Sequence, residues 1–154
     1  MREETEYRAA RGFLELLPEA RKRVDVLEDW ISCIRMMLTD RAVHMNQVRV
    51  CCSADPHKNE RLIAQIDELE REEAAAEKER DRIYREAQVA IGLIREPKAQ
   101  EILIRHYLDG LNWSETAREV KYSRRQMIRY RDMGYAEIKE RWHTDAQVRT
   151  AMPY

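Results

Sequence analysis

Two long stretches of this chain carry apolar residues at alternating steps of four and three, with almost nothing to interrupt them. That rhythm commits a chain to helices and excludes strands, whose inward residues recur every second position. The first stretch, Pro18 to Cys52, puts Leu27, Ile31, Ile34, Leu38, Met45, Val48 and Cys52 on one seam, with Arg41 as its polar member. The second, Asn59 to Arg95, repeats it with Leu62, Ile66, Leu69, Glu73, Ala76, Arg80, Ile83, Ala87, Ala90 and Ile94. Between them Ser53-Ala54-Asp55-Pro56-His57-Lys58 reads as a turn, and Pro56 suits the opening of the next helix. Two long helices joined so briefly fold back antiparallel. Counting from the turn sets Arg41 opposite Glu73 as an expected pair.

Composition agrees. The 154 residues include 4 Gly, 4 Pro and one Phe, and 37% are charged against a usual quarter. Opposite charges at Asp67 and Arg71, Asp81 and Arg85, and Arg82 and Glu86 suit the wet side of a helix. The seam itself is thin. Ala76, Ala87 and Ala90 bury little area at ~25 cal/mol per Å², so the hairpin is expected to need a partner. That partner is a second copy, with a homodimer favoured, or the domain that follows. Trp30, Met36 and Met37 form an apolar patch beside the seam, and core, dimer surface and landing site for RNA polymerase all stay open for it.

Other function classes find little support. Cys33, Cys51 and Cys52 are odd in number and suit a reducing cytoplasm. No apolar run is long enough to span a membrane, and the charged start, Met1 to Tyr7, is unlike a signal peptide. Cys51, Cys52, His44 and His57 lack the paired spacing of a zinc site. Glu68, Glu70, Glu72 and Glu73 read as a solvated face. No nucleophile, base and orienting group assemble, and there is no Gly-rich phosphate loop. The expectation is a cytoplasmic protein that is no enzyme, with no cofactor, no metal and no membrane partner.

Arg95-Glu96-Pro97 marks a boundary, since the residue before a proline is pushed out of helical angles. It divides the chain into an arm at 1–96, a domain at 97–142 and a tail at 143–154. Charge divides with it: 17 basic and 21 acidic residues before the break, 10 and 7 from Pro97 to Trp142. Lys121 to Arg131 holds five basic residues and no acidic one, a local stripe that suits a polyanion.

Three capped helices follow Pro97. The first runs to Leu108, presents Ile102, Leu103, His106 and Tyr107, and stops at Asp109-Gly110. The second starts at Asn112 with Glu115 three positions on, and buries Trp113, Ala117 and Val120. The third starts at Ser123 with Gln126 three on, and its apolar side is Met127, Tyr130, Gly134, Ile138 and Trp142. Both starts have capping-box spacing. Two capped helices around Lys121-Tyr122-Ser123 form a helix-turn-helix. The fold class expected is therefore all-α: an antiparallel, coiled-coil-like hairpin followed by a C-terminal three-helix helix-turn-helix domain.

A recognition helix puts its N-terminal side chains on base edges in the major groove of double-stranded DNA. Arg124, Arg125, Gln126 and Arg129 are the candidate base readers, with Arg125, Gln126 and Arg129 favoured; Arg suits guanine and Gln adenine. Lys121, Tyr122, Ser123 and Arg131 are the candidate phosphate contacts, helped by backbone amides at the helix start.

The stretch from Glu101 to Tyr130 resembles region four of bacterial sigma factors, through Arg105, Tyr107, Gly110, Glu115, Ala117, Ser123 and Met127. It departs from that pattern at Thr116, where an aliphatic residue is usual, at Gly134, where alanine is, and at Lys121, which replaces a glycine. With the charged hairpin in front, the chain is similar to phage transcriptional regulators of the RinA and ArpU type. The resemblance implies a sequence-specific DNA-binding regulator, an activator of phage late genes in a bacterial host, with RNA polymerase as a possible partner. It implies no promoter melting, since nothing matches sigma region two. A terminase small subunit binding a packaging site, or a sigma mimic that binds polymerase alone, are the alternatives.

Overall fold

The structure, a computed structural model, describes residues 8–45 and 57–142, and side chains at 8–39 and 57–141. The turn at Ser53 to Pro56, the seam positions Val48 and Cys52, the side chains of Arg41, His44 and Met45, Cys51, and the tail from His143 lie outside the described residues.

The fold is all-α, and among the described residues there is no strand. Helix α1 spans Arg8–Met45 and α2 spans Lys58–Gly92. They form the antiparallel hairpin that precedes the helix-turn-helix. Helix α3, Pro97–Leu103, continues as a π-helical turn over Ile104–Leu108; α4 is Trp113–Glu119 and α5 is Arg124–Trp142. No described helix is long and apolar enough to cross a membrane.

Helix α1 starts ten residues before the expected Pro18, which sits inside it. A proline there has no N–H for the carbonyl of Leu14 and crowds it, at about 3 kcal/mol in an exposed helix. Burial offsets this. Ala10, Phe13, Leu14 and Leu17 are all buried, the last two completely. At roughly 1.5–3 kcal/mol for each large side chain, that outweighs the proline.

By its contacts the chain forms two compact units. One unit gathers residues 8–19 with residues 80–142; the other is Ala20–Glu79. In Ala20–Glu79 the core is Val24, Leu27, Ile31, Ile34, Leu69 and Ala76, with Leu62 and Ile66 packed beside it at partial exposure. These are the expected seam positions plus Val24. Arg35 and Glu70 form an ion pair across the two helices. The expected partner of Glu73, the Arg41 side chain, lies outside the described residues. Both side chains of Arg35–Glu70 are largely exposed, so the pair adds little stability.

The other unit buries Ile83, Ala87, Ala90 and Ile91 from α2, Ile94 from the break that follows it, Ala99, Ile102, Leu103 and Tyr107 from α3 and its π turn, and Met127, Tyr135 and Ile138 from α5. Gly134 is where α5 crosses α3 closely: a Cβ there would lie 2.8 Å from Leu103 Cδ1. The break between α2 and α3 is pinned to α5, since the Arg95 N–H donates to Glu137 at 2.6 Å. Gln100 donates from its side chain to the Ile91 carbonyl near the end of α2.

Candidate nucleic-acid interface

The two helices of the helix-turn-helix are held by local chemistry. Asn112 accepts from the Glu115 N–H at 2.9 Å, and Glu115 accepts from the Asn112 N–H at 2.9 Å, a complete capping box. Ser123 Oγ accepts from the Gln126 N–H at 3.3 Å, while Gln126 Oε1 accepts from both the Ser123 N–H and its hydroxyl. Between the boxes the chain reverses through a Schellman turn. The Lys121 N–H reaches the Arg118 carbonyl and the Tyr122 N–H reaches that of Ala117. The pivot is Lys121, with φ of 55°. Glycine takes that left-handed conformation freely, whereas a side chain there costs about 1–2 kcal/mol.

Behind this front the packing is tight. Ile102, Val120 and Met127 are buried together, with Trp113, Ala117, Tyr122, Ile128 and Tyr130 packed on them. His106 stacks on Trp113, ring centroids 3.5 Å apart, and its Nδ1–H donates to the Leu111 carbonyl at 2.7 Å. Burial pushes the His106 pKa down, against the opposing pull of that hydrogen bond. The preceding helix ends in the π turn, closed by the Asp109 N–H on the Ile104 carbonyl, and Gly110, with φ of 80°, releases the chain. The widened turn sets Tyr107 fully inside, where its hydroxyl meets that of Tyr135 at 2.7 Å. Burial raises the pKa of both phenols.

One polar group in this core has no partner. Thr116 is fully buried, and its hydroxyl is the one side-chain polar atom that, among the described residues, is buried without a hydrogen bond. Thr116 follows the α4 face that includes Val120, where a hydrophobic residue would cost nothing.

Arg124, Arg125, Gln126 and Arg129 are all exposed on the first turns of α5, and Lys121 is exposed just before them. Arg125 and Arg129 stand four apart, on one stripe of the helix. Lys121, Arg124, Arg125 and Arg129 make no ion pair among the described residues. Gln126 is placed with them, but its carbonyl oxygen is taken by the cap. A bidentate contact to adenine needs that oxygen, so in this arrangement Gln126 offers only its amide N–H groups.

Of the expected phosphate contacts, Ser123 spends its hydroxyl on the cap and Tyr122 is half-buried, its ring 5.7 Å from that of Tyr130. Arg131 is not with the front. It lies about 160° round α5 from Arg129, over the rings of Trp113 and Tyr135, and is bonded to Asp132 at 2.7 and 2.8 Å. Its work there is packing and cation–π attraction.

The tertiary structure adds one cation the sequence reading missed. Exposed Lys98, in the first turn of α3, holds its ammonium 5.4 Å from the Tyr130 ring centre, 6.0 Å from that of Tyr122 and 3.5 Å from the Tyr130 hydroxyl. That hydroxyl, with the two phenols, raises the Lys98 pKa. No periodicity links Lys98 to residues 24 and more positions away, so no local signal marks it. No cluster of metal-ligand type occurs among the described residues.

Comparison with known proteins returned nothing: no family model, no characterised protein and no solved structure matches the chain.

Proposed function

We propose that this chain is a sequence-specific double-stranded-DNA-binding transcription regulator of the phage late-gene activator type, acting in the cytoplasm of a bacterial host. The observation that carries the reading is the front of α5. Lys121, Arg124, Arg125 and Arg129 are exposed, without an ion pair among the described residues, on a helix start that a capping box and a Schellman turn hold rigid. Cations left unpaired among neighbouring carboxylates are what a phosphate backbone and guanine edges recruit.

Within the reading, roles divide by geometry. Arg125 and Arg129 read bases from one stripe. Arg124, Lys121 and Lys98 take phosphates, with the amide groups at the start of α5. Gln126 reads a base only if its cap opens, so its first role is to fix the helix entry. The hairpin supplies the oligomer contact, and RNA polymerase is the further partner that activation would need.

The test is recovery of fragmented phage and host DNA by the purified protein at near-physiological salt, followed by sequencing. Enrichment of one site upstream of a structural or lysis operon is the expected result; enrichment at a packaging site would make the protein a terminase small subunit. No enrichment at any salt, with polymerase captured instead, would make it a sigma mimic and end the DNA reading. On the recovered site, Arg125→Ala should cost about 1–3 kcal/mol and relax base preference, while Lys98→Ala should weaken all sequences alike and lower the salt slope by about one.

A further inference from the structure

Helix α1 carries two apolar stripes, and the hairpin uses one. Val24, Leu27, Ile31 and Ile34 face the seam in the unit Ala20–Glu79. Val26, Trp30, Cys33 and Met37 recur at the same steps of four and three, about 110° round the helix, and all four are exposed. Trp30 shows 58% of its surface, Met37 52% and Val26 42%, with Met36 alongside at 66%. A lone exposed apolar residue is ordinary; a run in heptad phase on a helix already amphipathic elsewhere is a second seam.

We propose that two copies of this chain associate through α1, antiparallel, along Val26, Trp30, Cys33 and Met37. Size supports it. The patch exposes on the order of 400 Å² of apolar surface, the range at which a patch marks a contact. Two such faces, with the alkyl stems beside them, remove about 1,000 Å² from water, which a specific interface requires.

Charge sets the direction. The same heptad phase reaches Arg23 three residues before Val26 and Asp40 three residues after Met37. Parallel pairing would set Arg23 beside Arg23 and Asp40 beside Asp40. One antiparallel register brings position 23 of each copy level with position 40 of the other, Val26 level with Met37, and Trp30 level with Cys33. The largest side chain then meets a small one, and the layers repeat through a two-fold axis, as a closed homodimer demands. This proposal stands apart from the DNA reading. Where both hold, the two helix-turn-helices of a dimer call for a site with two-fold-related halves.

Sedimentation equilibrium of the full chain should return twice 18.5 kDa. Trp30→Glu with Met37→Glu should give the monomer mass with unchanged helical circular dichroism, since neither side chain belongs to the hairpin core. Arg23→Asp should raise the dimer dissociation constant about tenfold, and adding Asp40→Arg should restore it. Direction is read by oxidation in a Cys51→Ser, Cys52→Ser background. Trp30→Cys should yield a covalent dimer through Cys33 of the other copy, and the background protein alone should not. A chain that stays monomeric at about 100 μM, a dimer that survives both glutamates, or a Cys33–Cys33 link formed without Trp30→Cys would each overturn the proposal.

Discussion

From Ala20 to Glu79 two helices meet along a single line: even on that line Leu62 and Ile66 keep part of their surface, and beside it Trp30, Met36 and Met37 keep more than half of theirs. In the unit formed by residues 8–19 and 80–142, segments from five helices converge, and Leu14, Leu17, Ile102, Leu103, Tyr107 and Ile138 are sealed completely. Both regions are built from the same residue types in the same rhythm. The difference is the number of elements that close on each side chain. Two helices can exclude water along one line; several can exclude it from a volume. A sealed volume also turns every enclosed polar atom into a liability, and in the second unit the Tyr107 and Tyr135 hydroxyls meet each other while His106 donates to the Leu111 carbonyl.

The largest expected effect tests that contrast directly. Leu14→Ala should destabilise residues 80–142 by about 3–5 kcal/mol, and Leu69→Ala should cost the hairpin unit nearer 2 kcal/mol, because a single seam collapses around a lost side chain more easily than a closed core. Hydrogen exchange followed peptide by peptide separates the two. Equal losses would mean that the seam is as closed as the core.

Next comes the tyrosine pair. Tyr107→Phe strands the Tyr135 hydroxyl and should cost about 1–3 kcal/mol, whereas Tyr107→Phe with Tyr135→Phe should recover much of it. Denaturant midpoints of the three variants decide the matter, and additive losses would mean that the hydroxyls do not depend on each other. In the opposite direction, Thr116→Val and Lys121→Gly should each stabilise the same unit by about 1 kcal/mol, the first by removing an unpartnered hydroxyl and the second by relieving a positive φ. On the proposed DNA-binding reading, Lys121→Gly should also weaken DNA binding, so it separates stability from contact.

The smallest effect is a pH dependence. The folded-state pKa of His106 lies below its ordinary value of 6.5, chiefly through burial. The unfolded chain therefore takes up the proton first. The stability due to neutral His106 is full above about pH 6.5 and is lost as pH falls through the lower folded value. Thermal scans from pH 7.5 downward should show this decline, and His106→Phe should flatten it. An unchanged slope would place the proton elsewhere.

Most of the hairpin and of the helix-turn-helix was legible because periodicity and caps are local. Leu27, Ile31, Leu69 and Ala87 announce an inward face through spacing alone, and Ser123 with Gln126 announces a helix start. The place of Arg131 was not legible from the basic stripe, because a basic stripe in sequence is not a basic face on a helix. Tyr135 and Thr116 were hidden by polarity, since a hydroxyl reads as wet until a neighbour encloses it. The first turns of α1 were hidden by Pro18, a local signal that burial of Leu14 and Leu17 outweighs.

By itself, then, the sequence determined that this protein is helical, where α4 and α5 begin, and which side chains lead α5, because each depends on interactions no longer than about one helical turn. Only the tertiary structure decided that Arg8–Glu19 completes the C-terminal core, that Lys98 joins Tyr122 and Tyr130, that Arg131 turns inward, and that Gln126 gives its carbonyl to a cap. Those depend on which surfaces meet after folding, and a spacing rule carries no information about a neighbour dozens of residues away.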